Sequence, residues 1–218
     1  MVQKKRPRRT RERILETGLA LFNRDGEPHV TTADIADEMN ISPGNLYYHF
    51  RNKDDIIGEL YAALEAEIAP LLTVPEHRAP NVEDLWLLLH LVFERMREYR
   101  FFYRDLDEIT SRNRHIAARF GDLTRHGETT VAKLCRGLVA DNAMRATERD
   151  IEALASNVVL VSTYWMSYQR IGRPTTDTVV GAESARLDHA ALQVLALIAP
   201  FLVGTGRTLI DRLGEGYR

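Results

Sequence analysis

The stretch TTADIADEMNISPGNLYYHFRNKDDII, residues 31–57, contains the start and stop signals of two short helices in immediate succession. Thr31 is a typical N-cap residue, and Asp34 stands three positions later, where it completes a capping box. Asn40 tolerates the left-handed conformation that ends a helix. Ser42 then caps a second helix, followed by a proline at the first helical position, where the missing N–H costs nothing. Two short helices joined by so tight a turn indicate a helix-turn-helix.

The second of these helices has an apolar side and a polar side. Leu46 and Phe50 are four residues apart, and we expect both to face the core. The opposite side carries hydrogen-bonding side chains and a glycine that permits close approach: Gly44, Asn45, Tyr48 and His49, with Tyr47 at the edge. The N-terminus of a helix directs unpaired N–H groups and the positive end of its dipole toward phosphates. We therefore predict that this surface faces DNA.

Positive charge is concentrated at two places near this motif. Lys53 follows Asn52, the N-cap of the next helix, and a cation there is unfavourable for the helix dipole unless a phosphate compensates. The first 13 residues hold seven lysines or arginines and one acid, so the remainder of this chain of net charge −2 carries −8. A basic tail on an acidic protein suits a polyanion such as DNA. A disordered, solubilising terminus is the alternative.

These residues resemble the tetracycline-repressor (TetR) family of bacterial transcription regulators. The resemblance covers residues 10–60, about a quarter of the chain. The family pattern of Thr, Ile-Ala, a turn, Ser, Leu-Tyr-x-x-Phe and Lys is matched at every position, after a helix that ends in LFNRDG. Asn40 stands where the family commonly has glycine, and asparagine is the best substitute in that conformation.

The resemblance implies roles for the matched positions. The residues that it implies at the DNA are Thr31, Thr32, Ser42, Gly44, Asn45, Tyr47, Tyr48, His49 and Lys53. Base edges would be read at Gly44, Asn45 and Tyr48. Backbone phosphates would be bound by Thr31, Ser42, Tyr47, His49 and Lys53. Two alternatives stay open: half-burial of Tyr47 against the first helix, and an ordinary solvated surface at His49 and Lys53.

Helical patterns continue through the rest of the 218-residue chain, and strand-like alternation never lasts beyond a few residues. We expect a first helix from near Thr10 to Asp25, a long helix over 82–104, and further helices near 107–118, 122–141, 148–171 and 188–203. The predicted loops are 73–81 and 170–184. The fold class is all-α. An N-terminal helix-turn-helix DNA-binding domain (1–56, with a flexible basic arm at 1–9) precedes a larger helical effector-binding and dimerisation domain (57–218).

Two segments in the larger domain are apolar nearly all round, residues 158–168 and 191–203. A helix without a polar face must be covered on every side. A second copy of the chain could supply part of that cover, and the family resemblance implies a homodimer sealed by a four-helix bundle. Burial within one subunit is the alternative. The apolar run 190–204 is 15 residues long, which is short for a membrane-spanning helix.

Aromatic residues in the larger domain suggest a pocket for a small, mainly apolar effector. Trp86, His90 and Phe93 are spaced by four and three, which places them on one helix face. The full candidate set is Trp86, His90, Phe93, Phe102, Tyr103, Tyr164, Trp165 and Tyr168. Apolar walls with a few polar groups are typical of small-molecule sites. Such a stripe is also typical of an ordinary core, which is the alternative.

Motifs for an enzyme are absent from the sequence. The seven histidines form no HExxH, and Cys135, the single cysteine, has no CxxC partner. We therefore predict no metal, no cofactor and no enzymatic activity, a helical small-molecule enzyme being the alternative of a different class. The predicted function is that of a cytoplasmic regulator, a repressor released from a palindromic DNA operator by its effector. Activation, or action as a DNA-bound partner of another regulator, remains open.

Overall fold

The computed structural model describes residues 7–171, 180–204, 206–209 and 212, and within these residues there is no β-strand. The all-α prediction is therefore confirmed. The α-helices are α1 (Pro7–Asp25), α2 (Thr32–Glu38), α3 (Pro43–His49), α4 (Lys53–Ile68), α5 (Val82–Glu98), α6 (Arg100–Arg104), α7 (Leu106–Arg112), α8 (Arg114–Ala140), α9 (Glu148–Ile171) and α10 (Val180–Ile198). Short 3-10 helices follow α1, α4 and α10, at Glu27–His29, Ala69–Leu71 and Ala199–Phe201.

The chain divides into two compact units. The first contains the chain up to Ala66 together with Tyr99–Ala117, and the second contains Glu67–Glu98 and the chain from Ala118 onward. The first unit thus combines the helix-turn-helix with α6 and α7, which are distant in sequence. The boundary that we predict after residue 56 follows the sequence motif and falls inside α4.

Side-chain caps fix the two helices of the helix-turn-helix, as the sequence predicts. The backbone N–H of Thr31 donates to Asp34 Oδ2 at 2.7 Å, and the N–H of Asp34 donates to Thr31 Oγ1 at 3.2 Å, which completes the capping box. The N–H of Asn45 donates to Ser42 Oγ at 3.3 Å. Asn40 has a φ of 55°, the left-handed conformation expected at the end of α2.

The core of the first unit forms beneath these helices. Leu46 and Phe50 are buried, as predicted, together with Ile35. Gly18 lets α1 approach Ile56 and Ile35 closely, because a Cβ at this position would lie 3.3 Å from Ile56 Cγ2 and 3.5 Å from Ile35 Cδ1. Close packing of this kind holds α1, α2 and α4 together as one body.

Aromatic rings join α6 to the same core. The ring centroids of Phe22 and Phe101 are 5.3 Å apart, and those of Tyr61 and Phe102 are 5.0 Å apart. The backbone N–H of Phe101 donates to Asn23 Oδ1 at 3.0 Å, so the buried start of α6 has a partner on α1. Contacts between aromatic rings at these distances are favourable beyond the area that they bury.

In the second unit α10 packs against α9 and α5. The loop before α5 lies on α8, because a Cβ at Gly137 would come within 2.1 Å of Pro80 Cγ. The hydroxyl of Thr130 donates to the Leu72 carbonyl at 3.1 Å from a buried position. Cys135 is also buried on α8, and burial raises the pKa of its thiol to about 11.

Several helix boundaries differ from the sequence-based expectations. Helix α1 begins at Pro7, not near Thr10, so residues 7–9 of the predicted arm are helical. The predicted 82–104 helix is interrupted at Tyr99, which separates α5 from α6.

The boundaries of the later helices also differ from the sequence-based expectations. The helices expected over 107–118 and 122–141 are instead a short α7 and a long α8, and the break between them is at Asn113. Asn113 Oδ1 accepts from the Ile116 N–H at 3.1 Å and so caps α8. Helix α10 already begins at Val180, inside the predicted 170–184 loop. Residues 172–179 of that loop lie outside the described residues.

Candidate DNA-binding surface and effector site

The outward side of α3 carries the residues predicted to face DNA. Tyr48 is 80% exposed and its ring meets the His49 ring edge-on, with centroids 5.1 Å apart. Tyr47 is 52% exposed, and Asn45 is exposed beside the capped N-terminus. A Cβ at Gly44 would meet no atom within 4 Å, so the described part of the protein leaves open space above this position. The face offers hydroxyl, amide and imidazole groups to a partner.

The start of α2 lies beside this face. The hydroxyls of Thr32 and Tyr47 are within hydrogen-bond distance of each other, which connects α2 to α3 through side chains. Thr31 is exposed, and its hydroxyl and backbone N–H both donate to Asp34. These hydrogen bonds, first that of the Thr31 side chain and then that of its backbone, lower the pKa of the Asp34 carboxyl.

Lys53 makes contacts within the protein that neither sequence-based interpretation included. Its ammonium lies 2.8 Å from Oε1 of Glu27 and donates to the Glu27 backbone carbonyl at 2.9 Å. Glu27 also accepts from Arg112 Nη2 at 2.8 Å. The roles of Glu27 and Arg112 were not predictable from the sequence, because these residues are separated by 85 positions and share no local motif.

A second cation near the motif is also engaged within the protein. Arg11, one of the seven cations of the basic N-terminal stretch, forms an ion pair with Glu59 on α4. Its guanidinium carbon lies 4.7 Å from the centroid of the Phe50 ring. A cation over an aromatic face is favourable. Arg11 therefore ties α1 to α4 and to the end of α3.

The predicted effector residues divide between the two units. In the second unit Trp86 stacks on His90 with centroids 5.0 Å apart and an interplanar angle of 11°, and Phe93 is buried nearby on the same helix. On α9, the rings of Trp165 and Tyr168 lie 5.7 Å apart. The indole Nε1 atoms of Trp86 and Trp165 are buried, and neither has a hydrogen-bond partner among the described residues.

The other two candidates, Phe102 and Tyr103, lie in the aromatic core of the first unit. Both are buried, and their ring centroids are 5.8 Å apart. Desolvation by burial raises the pKa of the Tyr103 phenol. For these two residues the packing is that of a core, which is the alternative that the sequence left open.

An exposed apolar stripe runs along α9. Its members are Leu160, Tyr164 and Tyr168, spaced by four residues and 55%, 41% and 67% exposed. Residues four apart share one face of a helix, so the three side chains form a continuous surface. We call these three residues the α9 stripe. Two of them, Tyr164 and Tyr168, belong to the predicted effector set.

Among the described residues, no three His, Cys, Asp or Glu side chains converge as a metal site would require. No helix in the part of the chain that the structure describes combines the length and the apolar character needed to cross a membrane.

Comparison with known proteins identifies the family. Residues 14–60 match the family model described as bacterial regulatory proteins, tetR family. Residues 63–210 match a second model, described as bacterial transcriptional repressor, TetR. The chain belongs to the TetR family. The predicted resemblance is thus confirmed, and so is the prediction that the protein is not an enzyme, because TetR-family proteins are transcriptional regulators.

Individual TetR-family relatives agree with this assignment. A TetR-family regulator of Marinobacter aquaeolei VT8 has a solved structure that is 34% identical, with a TM-score of 0.81, over 96% of this chain and 98% of that one. A regulator from Saccharomonospora viridis, solved in complex with choline, has the same fold at 21% identity and a TM-score of 0.65, over 90% of this chain and 99% of that one.

Curated relatives match over a shorter stretch. The probable acrEF/envCD operon repressor of Escherichia coli K12 is 31% identical over 90 residues, which are 41% of this chain. This stretch spans 37% of the length of that relative.

Proposed function

We propose that this TetR-family regulator is a repressor that binds a palindromic operator as a homodimer and is released by a small, mainly apolar effector. The protein would act in the cytoplasm, where its operator is. The names of its relatives support repression, because they include an operon repressor and a tetracycline repressor.

The observation that carries the DNA-binding part is the two-sided character of α3. Leu46 is fully buried on one side, whereas Tyr47 and Tyr48 are largely exposed on the other. Large aromatic side chains lose favourable burial when they face water. Their exposure beside a capped helix N-terminus supports a partner with phosphates and base edges.

The α9 stripe supports the dimer. Three large side chains exposed in a row form an apolar patch larger than scattered surface residues make. Helices α9 and α10 pack side by side, so a second copy could cover the stripe and form a four-helix bundle. A two-fold dimer presents two copies of α3, which matches a palindromic operator. Under this proposal Tyr164 and Tyr168 belong to the dimer interface.

The effector site would then centre on the Trp86–His90 pair of α5, with Trp165 on α9 as a second candidate. The two buried indole N–H groups favour a ligand with a hydrogen-bond acceptor, since a buried donor without a partner is costly. The stacked Trp86 and His90 rings offer a flat apolar wall. Few polar groups on apolar walls are typical of small-molecule sites.

Selection of bound DNA from a random pool tests the proposal. We expect the recovered sequences to share an inverted repeat, with half-site centres about one helical turn apart or a multiple of it. A reporter gene behind the recovered sequence should become more active when the regulator is deleted. A fall in reporter activity would indicate an activator, and a pool without a common sequence would contradict specific DNA binding.

A further inference from the structure

The ion pair of Lys53 involves a carboxylate that is removed from water. Glu27 is 0% exposed and lies in the 3-10 helix between α1 and α2. Its Oε1 contacts the ammonium of Lys53 and the guanidinium of Arg112, each at 2.8 Å. Its Oε2 is buried and has no hydrogen-bond partner among the described residues. Among the residues that the structure describes, the charge compensation of this side chain therefore falls on two cations.

Two cations are more than one buried carboxylate needs. A buried carboxylate without any counter-ion is strongly destabilising, so at least one of the pair must stay. Arg112 is anchored, because it also contacts Asp54 at 3.3 Å and Glu108 at 3.5 Å. The hydrogen bond to Glu27 also raises the pKa of the Arg112 guanidinium, which stays charged. Arg112 is therefore the counter-ion suited to remain.

Lys53 is the cation suited to leave the Glu27 carboxylate. Its side chain is 24% exposed, and it is the first residue of α4, immediately after Asn52, whose Oδ1 accepts from the Asp55 N–H at 2.8 Å. A lysine ammonium is a compact charge on a flexible stem, so it can exchange one anion for another without movement of the backbone. The helix N-terminus from which it projects is also where a phosphate binds favourably.

We propose that Glu27 and operator DNA compete for Lys53, and that Arg112 allows the exchange because it remains as the counter-ion of Glu27. In the free protein the ammonium lies on Glu27, and in the complex it lies on a backbone phosphate. Glu27 is then a positioning residue that sets how readily Lys53 engages DNA. The proposal rests on the proposed function, in which Lys53 contacts the operator.

Substitutions of Glu27 and of Arg112, its second cation, should change DNA affinity in opposite directions. In Glu27→Gln the carboxylate no longer competes, and the positive charge of Arg112 repels Lys53, so binding should strengthen on the order of tenfold. In Arg112→Met, Lys53 is the last cation on Glu27 and is harder to detach, so binding should weaken by a similar factor. Arg112→Met combined with Glu27→Gln should bind at least as tightly as the unmodified chain, because the charge that holds Lys53 is gone.

The experiment measures fluorescence anisotropy of the selected operator duplex, and of a scrambled duplex, at several KCl concentrations. Lys53→Ala is made in the unmodified and in the Glu27→Gln background. We expect Lys53→Ala to weaken binding more in the Glu27→Gln background. No carboxylate competes for Lys53 there, so its removal costs the full phosphate contact. Glu108→Gln is the matched control, since it removes an acidic partner of Arg112 that does not touch Lys53, and its affinity should be unchanged.

Failure of this inference is distinguishable from failure of the proposed function. If Lys53→Ala weakens binding by the same factor in both backgrounds, the competition does not exist although DNA binding stands. If the unmodified chain does not prefer the operator to the scrambled duplex, the proposed function is wrong. Should Glu27→Gln fail to fold, a crystal structure of the unmodified operator complex decides. Lys53 Nζ still within hydrogen-bond distance of Glu27 Oε1 would overturn the proposal, and Nζ on a phosphate oxygen would support it.

Discussion

The hydroxyl oxygen of Tyr47, on α3, lies 3.2 Å from that of Thr32, the first residue of α2. The sequence left open whether Tyr47 is half-buried against α1. Its hydroxyl meets the start of α2, and about half of the residue's surface stays exposed. This contact restricts the rotation of the phenol and holds it at the edge of the predicted DNA-facing surface.

If Thr32 orients Tyr47 toward a phosphate, the two hydroxyls should act as a unit. We expect Tyr47→Phe to weaken operator binding by on the order of 1 kcal/mol, with little effect on unfolding. Thr32→Val should also weaken binding, but should add almost nothing in the Tyr47→Phe background. Anisotropy titrations of the four proteins measure this coupling. Strictly additive effects would contradict it, and a loss of stability without a loss of affinity would make Tyr47 a structural residue.

Asn45 should control the preferred bases, because contacts with base edges discriminate sequence whereas phosphate contacts do not. When the Asn45→Ala protein selects DNA from a random pool, we expect the half-site consensus to differ from that of the unmodified chain. Lys53→Ala is the comparison variant, since a phosphate contact predicts weaker binding with an unaltered consensus. The base-reading role of Asn45 is wrong if its variant recovers the original consensus at lower affinity.

The capping box of α2 should make stability depend on acid pH. The hydrogen bonds from Thr31 lower the pKa of folded Asp34, so its carboxylate contributes stability at every pH above the ordinary aspartate pKa. That contribution disappears as the pH falls through the lowered value. Asp34→Asn should therefore lower the thermal midpoint at neutral pH, and the difference from the unmodified chain should shrink in acid. Asp37→Asn, at an exposed position of the same helix outside the box, should have a smaller effect.

A charge within the α9 stripe should break the dimer. In Leu160→Lys the two-fold symmetry would bury two unpaired ammonium groups at the interface, at a cost of about 3 kcal/mol or more. Sedimentation should then show monomers at concentrations where the unmodified chain is dimeric. Leu87→Lys is the matched control, because Leu87 is a comparably exposed leucine on α5. If the dimer dissociates in Leu87→Lys but not in Leu160→Lys, the interface lies on α5 and not on the α9 stripe.

Trp86 should be required for the response to the effector but not for DNA binding. Once a screen identifies a compound that releases operator DNA, Trp86→Ala should retain the affinity of the unliganded protein and lose the release. Trp86→Phe keeps a ring to stack on His90 but lacks the buried Nε1–H, so it should respond more weakly if the compound accepts a hydrogen bond there. Unchanged release in both variants would place the effector elsewhere.

Local signals made the helix-turn-helix predictable. Thr31, Asn40 and Ser42 act on the backbone within four residues of themselves, so the sequence contains both partners of each interaction. The buried and exposed sides of α3 follow in the same way from residue spacing. For these elements the sequence was sufficient.

Long-range partners were not predictable in this way. The sequence places a cation at position 53 but does not indicate that Glu27 holds it, because that contact depends on how α4 and α7 pack against the 3-10 helix that follows α1. The surroundings of Phe102 were not predictable for the same reason. An aromatic stripe has the same spacing whether it faces a ligand or, as here, the ring of Tyr61.

The burial of Cys135 has a practical consequence for solution work. It is the only cysteine of the chain, and at neutral pH its thiol is both shielded from reagents and almost entirely protonated, whereas the thiolate is the form that reacts. The natural sequence can therefore serve as its own unreactive background for site-directed labelling. A spin label attached to a single new cysteine at an exposed position of α4 would report the separation between the DNA-binding units of two copies, with and without effector.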